Sequence, residues 1–227
     1  NLPIDLSQAS RKWHFQQEIL KGGTPSLTRQ ALASIATLML NVAAGVYGDA
    51  AIAGMSIVSR LAFIIFAIII GIGQGYQPFC GFNYGAGNHK RLLKGFYFTI
   101  LLDMVVLLVM CGPAFVFAEE LVDILRDDLE VVAVGAVALR GQLVALPMAA
   151  VVTVCNMTLQ TSGQSLSANI LASARNGLFF IPLILILPQW LGLKGVEICQ
   201  AVCDMLAFML AIPLIVHFFR STLHHKA

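Results

Sequence analysis

Long apolar runs, separated by short turn-like sequences, recur along almost the whole chain. A helix that crosses the roughly 30 Å apolar core of a bilayer needs about 20 apolar residues. Six segments reach that length, at residues 25–47, 50–79, 92–117, 131–159, 167–187 and 196–219. Most of the sequences between them are short and turn-like, with Gly, Asn or Ser, and no soluble domain fits there. The pattern predicts an all-α membrane protein whose six transmembrane helices form one bundle.

Polar residues inside these segments recur at helical spacing. In the first segment they follow i, i+4, i+7 and i+11, which gives one stripe of Gln30, Ser34, Thr37 and Asn41. Segment five repeats the pattern with Ser165, Asn169, Ser173 and Asn176. Segment four has Gln142, Asn156 and Gln160, and segment six has Glu197, Gln200 and Asp204. In lipid, such side chains must face protein or water. They predict either hydrogen bonds between helices or a water-filled cavity, and their recurrence on four helices favours the cavity.

Four charged residues lie near the middle of predicted spans: Arg60, Asp103, Arg175 and Asp204. Asp204 lies ten residues after Lys194 and Arg175 lies ten residues after Ser165, which at 1.5 Å per residue is a depth of about 15 Å. Because unpaired charges at that depth are unfavourable, we expect Arg175 to pair with Asp204 and Arg60 to pair with Asp103. Alternatively Asp204, or less readily Asp103, binds a coupling proton or sodium ion, since a buried carboxylate can gain and lose a proton.

Composition excludes a soluble protein and charge asymmetry predicts the orientation. Only 11% of the residues are charged and 58% are hydrophobic, whereas soluble domains have about 25% charged residues. One side of the predicted bundle carries the basic residues Arg11, Lys12, Lys21, Lys90, Arg91, Lys94, Arg220 and Lys226. Lys and Arg stay on the cytoplasmic side, so both ends of the chain are predicted cytoplasmic in a cell membrane. Residues 1–24 then form an interfacial linker, 25–219 the transmembrane lobe and 220–227 a cytoplasmic tail.

The chain has no recognisable catalytic, metal-binding or nucleotide-binding motif. Gly-Ile-Gly-Gln-Gly at 71–75 lacks both the preceding strand and the lysine of a phosphate loop. There is also no Gly-Xaa-Ser-Xaa-Gly elbow and no His-Glu-Xaa-Xaa-His zinc motif. We therefore predict neither an enzyme, a metal site, an organic cofactor nor a nucleic-acid partner. Gly71, Gly75, Gly81 and Gly85 are instead expected to let helices approach closely.

Residues 71–87 read Gly-Ile-Gly-Gln-Gly-Tyr-Gln-Pro-Phe-Cys-Gly-Phe-Asn-Tyr-Gly-Ala-Gly. This stretch resembles a signature of the multidrug and toxic compound extrusion (MATE) transporters, especially the MepA-type branch, in which it ends the eighth helix. Residues 51–60 resemble the start of that helix, and residues 175–188 resemble the eleventh. The resemblance implies one lobe, helices seven to twelve, of a twelve-helix antiporter. The chain begins with Asn1 and not Met, so we expect a fragment whose first six helices are missing.

The resemblance also implies a function. Such antiporters exchange lipophilic, often cationic drugs for protons or sodium ions as two lobes rock around a central cavity. The implied partners are the bilayer, amphiphilic or cationic drugs and the missing amino-terminal lobe. The expected cavity-lining residues are Gln30, Ser34, Thr37, Asn41, Gln74, Gln77, Asn156 and Asn176, although Gln74 and Gln77 could instead cap a broken helix end.

The site of ion coupling is left open by the resemblance. Some members carry acidic ion-binding residues on helices seven and ten. The matching segments here, 25–47 and 131–159, contain no Asp or Glu. The coupling carboxylate is therefore expected either in the missing lobe or at Asp204.

Two other functions fit the same sequence. A lipid-linked oligosaccharide flippase of the same superfamily would have a more cationic cavity, to which Arg60, Arg140 and Arg175 could contribute. A six-helix membrane scaffold that does not transport would use its polar stripes only for packing.

Overall fold

The computed structural model describes residues 13–224, and all its long elements are helices. They are α1 (Trp13–Gly45), α2 (Asp49–Gly85), α3 (His89–Val116), α4 (Ala118–Asp123), α5 (Leu129–Thr161), α6 (Ser165–Ser173), α7 (Phe180–Leu191) and α8 (Leu193–His224). A π-helical segment, Ala174–Phe179, joins α6 and α7 into one rod. Each predicted apolar segment coincides with a long helix or with this rod, which confirms the all-α fold class.

Five of these helical stretches are long and apolar enough to cross a membrane. They are α2, α3, α5, the α6–α7 rod and Leu193–Thr222 of α8. The first predicted span lies in α1, which has 33 residues but is not among the five. Arg29 and the polar stripe on α1 lower its mean hydropathy. Parts of the predicted linker (1–24) and tail (220–227) lie outside the described residues, and α1 and α8 extend into the rest of them.

The short connections between helices form where the sequence predicts turns. Four of the connections contain a glycine with positive φ, namely Gly48, Gly87, Gly163 and Gly192, whereas the connection from α3 through α4 to α5 contains no glycine. Glycine adopts that conformation without the steric penalty of a Cβ. The chain can therefore reverse direction within a few residues and place consecutive helices side by side.

Helix α5 lies at the centre of the bundle. It packs most extensively against α2 and α8, and residues 152–159 of α5 are all buried. A helix that is buried on every side is surrounded by other helices. At the crossing with α2, a Cβ on Gly54 would lie 3.3 Å from both the backbone nitrogen of Gly135 and the carbonyl oxygen of Val131. Glycine at this position therefore permits the two backbones to approach closely.

The close approaches elsewhere on α2 differ from the prediction. Among the described residues, a Cβ at Gly71, Gly75 or Gly85 would have no neighbour within 4 Å, so within this part of the chain the prediction was wrong for these three glycines. A Cβ at Gly73 would overlap the sulfur of Met157, and one at Gly81 would lie 3.1 Å from Thr161. The buried side of α2 follows Ile69, Gly73, Tyr76 and Cys80. Gly71, Gly75 and Gly85 lie on its exposed side.

Candidate functional site

A cavity of about 230 Å³ lies between α1, α2, α5, the α6–α7 rod and α8, and we call it the central cavity. Part of its wall is apolar, with Phe63, Phe66, Ile70 and Leu146. The polar stripes of four helices supply amides and hydroxyls from Gln30, Thr37, Gln142, Thr153, Asn156, Asn176 and Gln200. The wall therefore combines apolar contact area with neutral hydrogen-bonding groups, as small-molecule sites do.

A second cavity of about 340 Å³, the polar cavity, lies between α1, α2 and α5. It is lined by Ser26, Arg29, Gln74, Gln77, Pro78, Met157 and Gln160. The amide of Gln160 donates to the hydroxyl oxygen of Ser26 at 3.1 Å, which links α5 to α1. Arg29 lines both cavities, so the two adjoin at this side chain.

The structure brings together most of the residues that the sequence placed in a cavity. Gln30, Thr37, Asn156 and Asn176 line the central cavity, and Gln74 and Gln77 line the polar cavity. Ser34 and Asn41 line neither.

The two exceptions lie on a part of α1 that borders exposed surface, and Asn41 is half-buried. Ser34 is exposed and donates to the carbonyl oxygen of Gln30 at 3.2 Å. Nearby on the same helix, Leu38 is 66% exposed and Val42 is 74% exposed. This surface of α1 is therefore not packed against the described helices, which explains why part of the stripe lies outside the cavities.

Asn156 fits both interpretations of the polar stripes, namely hydrogen bonding between helices and lining a cavity. Its side chain lines the central cavity and is buried. Its amide nitrogen also donates to the carbonyl oxygen of Ala168 at 2.7 Å, which ties α5 to α6. Asn156 therefore supports the cavity wall and is part of it.

The charged pair behind the central cavity is Arg175 and Asp204. The Nε atom of Arg175 contacts Oδ1 of Asp204, and Nη2 donates to Oδ2 at 3.3 Å. Gln142 donates to the same Oδ2 at 3.0 Å, and the guanidinium lies 4.9 Å from the ring centroid of Phe66. Asp204 is completely buried, whereas Arg175 and Gln142 reach the cavity. The charge of Asp204 is thus neutralised by a residue of the cavity wall.

The second predicted pair, Arg60 with Asp103, is not formed. Asp103 is completely buried, and neither carboxylate oxygen has a hydrogen-bond partner among the described residues. Arg60 is exposed, while Val58 and Ala62, each two residues away, are buried. Two residues correspond to a rotation of about 200° around a helix. Arg60 therefore lies on the side of α2 that is turned away from the bundle.

Replacing Asp103 with Leu is expected to stabilise the protein. A buried polar group without a partner destabilises a folded protein by about 1–3 kcal/mol, and Leu has a similar size without the polar atoms. We expect thermal unfolding of the purified full-length protein in detergent to shift upward for Asp103→Leu. The exposed Asp123 provides the control, since Asp123→Leu should shift it little. A lower unfolding temperature for Asp103→Leu would show that the carboxyl group makes a stabilising contact.

Two features of the site were missed by the sequence analysis. Arg29 directly precedes the Gln30 stripe, and a charge inside a predicted span is itself a signal of a functional position. The π-helical segment, which contains Arg175 and Asn176, has no simple sequence signal. π-helical turns occur often at functional sites, and this one presents both side chains to the central cavity.

Comparison with known proteins places this architecture in a family. Residues 25–186 match the family described as MatE. The multidrug export protein MepA of Staphylococcus haemolyticus is 26% identical over 94% of this chain and 48% of its own length. The chain thus spans about half the length of the curated relatives it matches.

Solved structures share the fold. A multidrug resistance MATE family transporter of the MOP superfamily, in an outward-facing conformation, aligns with a TM-score of 0.88 and 21% identity over 97% of this chain and 50% of that chain. A MOP superfamily transporter from Pyrococcus furiosus, for which a binding pocket of reverse polarity is said to suggest a different function, aligns with a TM-score of 0.88 and 20% identity, covering 96% of this chain and 50% of that chain. Both therefore correspond to this chain over one half of their length.

Proposed function

The chain belongs to the MatE family, and from that premise we propose that it forms one lobe of a transporter that exports lipophilic small molecules in exchange for protons or sodium ions. The central cavity carries the proposal. Its mixture of aromatic, aliphatic and amide side chains suits amphiphiles of varied shape, because apolar walls accept many partners while a few polar groups orient them. The relatives it matches are named as exporters and not as enzymes.

The other lobe would complete the cavity. The chain spans half of its relatives, and α1 leaves apolar residues such as Leu38 and Val42 exposed beside the central cavity. An exposed apolar surface of this kind is suited to packing against a partner. We propose that six further helices face α1 and that the two lobes rock to give alternating access. The protein is a multi-pass membrane protein, and its basic flanks favour cytoplasmic ends in the cell membrane.

For ion coupling, the candidate in this lobe is Asp204. It is completely buried and communicates with the central cavity through Arg175 and Gln142, which both line the wall. A proton or sodium ion bound at Asp204 would release Arg175 toward the cavity. The alternative site for the coupling carboxylate is the other lobe.

The two alternative functions have less support. Of the three arginines that favoured a flippase, Arg60 lies on the exposed side of α2. Arg140 pairs with Glu119 at 3.1 Å, outside both cavities. Arg175 is neutralised by Asp204. A scaffold without transport would not need two adjoining cavities lined by polar stripes, so the cavities favour a transporter.

The proposed function is tested by export of ethidium from vesicles that contain the full-length protein, under an imposed proton or sodium gradient. Asn176 lines the central cavity. Loss of one hydrogen bond to the bound ligand weakens its binding by about 1 kcal/mol. Asn176→Ala should therefore reduce export about fivefold. Asn88, which is exposed in the α2–α3 connection, is the control, and Asn88→Ala should export normally. If neither gradient drives export by the wild-type protein, the proposed function is wrong.

A further inference from the structure

Arg29 differs from Arg140 and Arg175, the other two half-buried arginines among the described residues. Arg175 pairs with Asp204 and Arg140 pairs with Glu119. The Arg29 side chain is half-buried and has no ion-pair or hydrogen-bond partner within residues 13–224. No Asp or Glu of the described residues lines either cavity. The two cavities together therefore carry one positive charge that no described residue neutralises.

The groups around Arg29 are suited to an anion. The side chains of Gln74 and Gln77 line the same cavity and can turn their amide N–H groups inward. The hydroxyl oxygen of Ser26 accepts from Gln160 at 3.1 Å, so its own proton can be donated to a ligand. A guanidinium with neighbouring neutral donors matches a carboxylate or sulfonate, whose oxygens accept several hydrogen bonds at once.

The location of Arg29 connects this anion site to the site of an apolar ligand. Arg29 lines the polar cavity on one side and the central cavity on the other, where Phe63, Phe66 and Leu146 form the apolar wall. A partly buried cation within a membrane-spanning bundle is unfavourable without a counter-charge. A ligand with an anionic group and an apolar part could occupy both cavities, with the anionic group at Arg29 and the apolar part in the central cavity.

We propose that Arg29 binds the anionic group of a transported amphiphile whose apolar part occupies the central cavity. This inference rests on the proposed export function and extends its substrate class beyond cationic drugs to amphiphiles that carry a carboxylate or sulfonate, with or without an additional cationic group. Ser26, Gln74 and Gln77 supply the secondary hydrogen bonds, and Arg29 supplies the charge that selects the anion.

A matched pair of fluorescent ligands tests the proposal. Anilinonaphthalene sulfonate and phenylnaphthylamine share the same aromatic rings, but only the first carries an anion. Binding of each to the full-length protein is measured in vesicles of phosphatidylcholine for wild type, Arg29→Gln, Arg29→Lys and the control Arg60→Gln, which removes an exposed arginine outside both cavities. Because a hydrogen bond to a charged group contributes about 1.5–3 kcal/mol, Arg29→Gln should weaken sulfonate binding about tenfold or more. Arg29→Lys should recover part of that loss, and phenylnaphthylamine should bind equally to all four proteins.

Three results would overturn the proposal. One is an equal loss of both ligands in Arg29→Gln, since that would indicate a structural role. Another is an unchanged sulfonate affinity in Arg29→Gln. The third is loss of the sulfonate preference in wild type when phosphatidylglycerol is added to the vesicles, because a lipid headgroup would then be the occupant.

Ethidium export by the same proteins distinguishes failure of the anion site from failure of the proposed export function. Export without dependence of sulfonate binding on Arg29 rejects only the anion site, whereas absence of all export rejects the proposed function.

Discussion

The Asp204→Asn variant is expected to unfold at a clearly lower temperature than the wild-type protein. Removing one partner of a buried ion pair leaves the other charge without compensation, which destabilises proteins by about 3–5 kcal/mol. Arg175 is 25% exposed through the cavity while Asp204 is fully buried. Partial solvation of Arg175 places the expected loss near the lower end, about 3 kcal/mol. Thermal unfolding of the purified full-length protein in detergent measures it.

A double variant distinguishes pairing from general disruption. Arg175→Met combined with Asp204→Leu removes both charges and keeps similar volumes, so it should recover most of the lost stability. The exposed pair Arg126 and Asp128, whose closest atoms are 4.0 Å apart, provides the comparison. Exposed pairs contribute at most about 1 kcal/mol, so Arg126→Met should have little effect. If the double variant is no more stable than Asp204→Asn, the ion pair is not the reason for the loss.

The same double variant also tests the coupling proposal. If Asp204 binds the coupling ion, the double variant, once shown to be folded, should bind ethidium but fail to export it under either gradient. If export persists at the wild-type rate, Asp204 has only a structural role and the coupling carboxylate belongs to the other lobe.

The sequence predicts helices and turns well because both depend on local physics. Apolar runs of bilayer length define the helices, and glycines such as Gly163 and Gly192, with positive φ, define the reversals. The Arg175–Asp204 contact was also predictable, because counting residues from the ends of two antiparallel helices gives their depths. Depth along the helix is thus available from the sequence alone.

The side of each helix that faces the bundle was harder to predict from the sequence. Arg60 and Asp103 were expected at matching depths, yet Arg60 is exposed and Asp103 is buried. Gly71 and Gly75 have suitable spacing for a helix contact, but the neighbouring Gly73 makes the contact instead. Which side of a helix faces the bundle is decided by packing against several helices together, here mainly by α5. The sequence of a single helix does not specify where the neighbouring helices lie, so the side that faces the bundle is known only from the tertiary structure.

The second large effect is expected for Gly195→Ala, at the junction of α7 and α8. A single residue, Gly192 with φ 61°, separates the two helices. The first turn of α8 is therefore held against the last turn of α7. A Cβ at Gly195 would overlap the carbonyl oxygen of Leu187 and lie 2.8 Å from the backbone nitrogen of Pro188. Because backbone atoms cannot move away by a rotamer change, the two helices must separate.

We expect Gly195→Ala to lose about 3 kcal/mol of stability, at the upper end of the usual range for overpacking. Alanine alone favours a helix over glycine by about 1 kcal/mol, so the clash must exceed this opposing gain. Gly71, which is in the interior of α2 with no atom within 4 Å of an added Cβ, gives a control of opposite sign. Gly71→Ala should raise the unfolding temperature, and Gly195→Ala should lower it. If both variants were stabilised, helix propensity alone would account for them, and the tight α7–α8 junction would not limit stability.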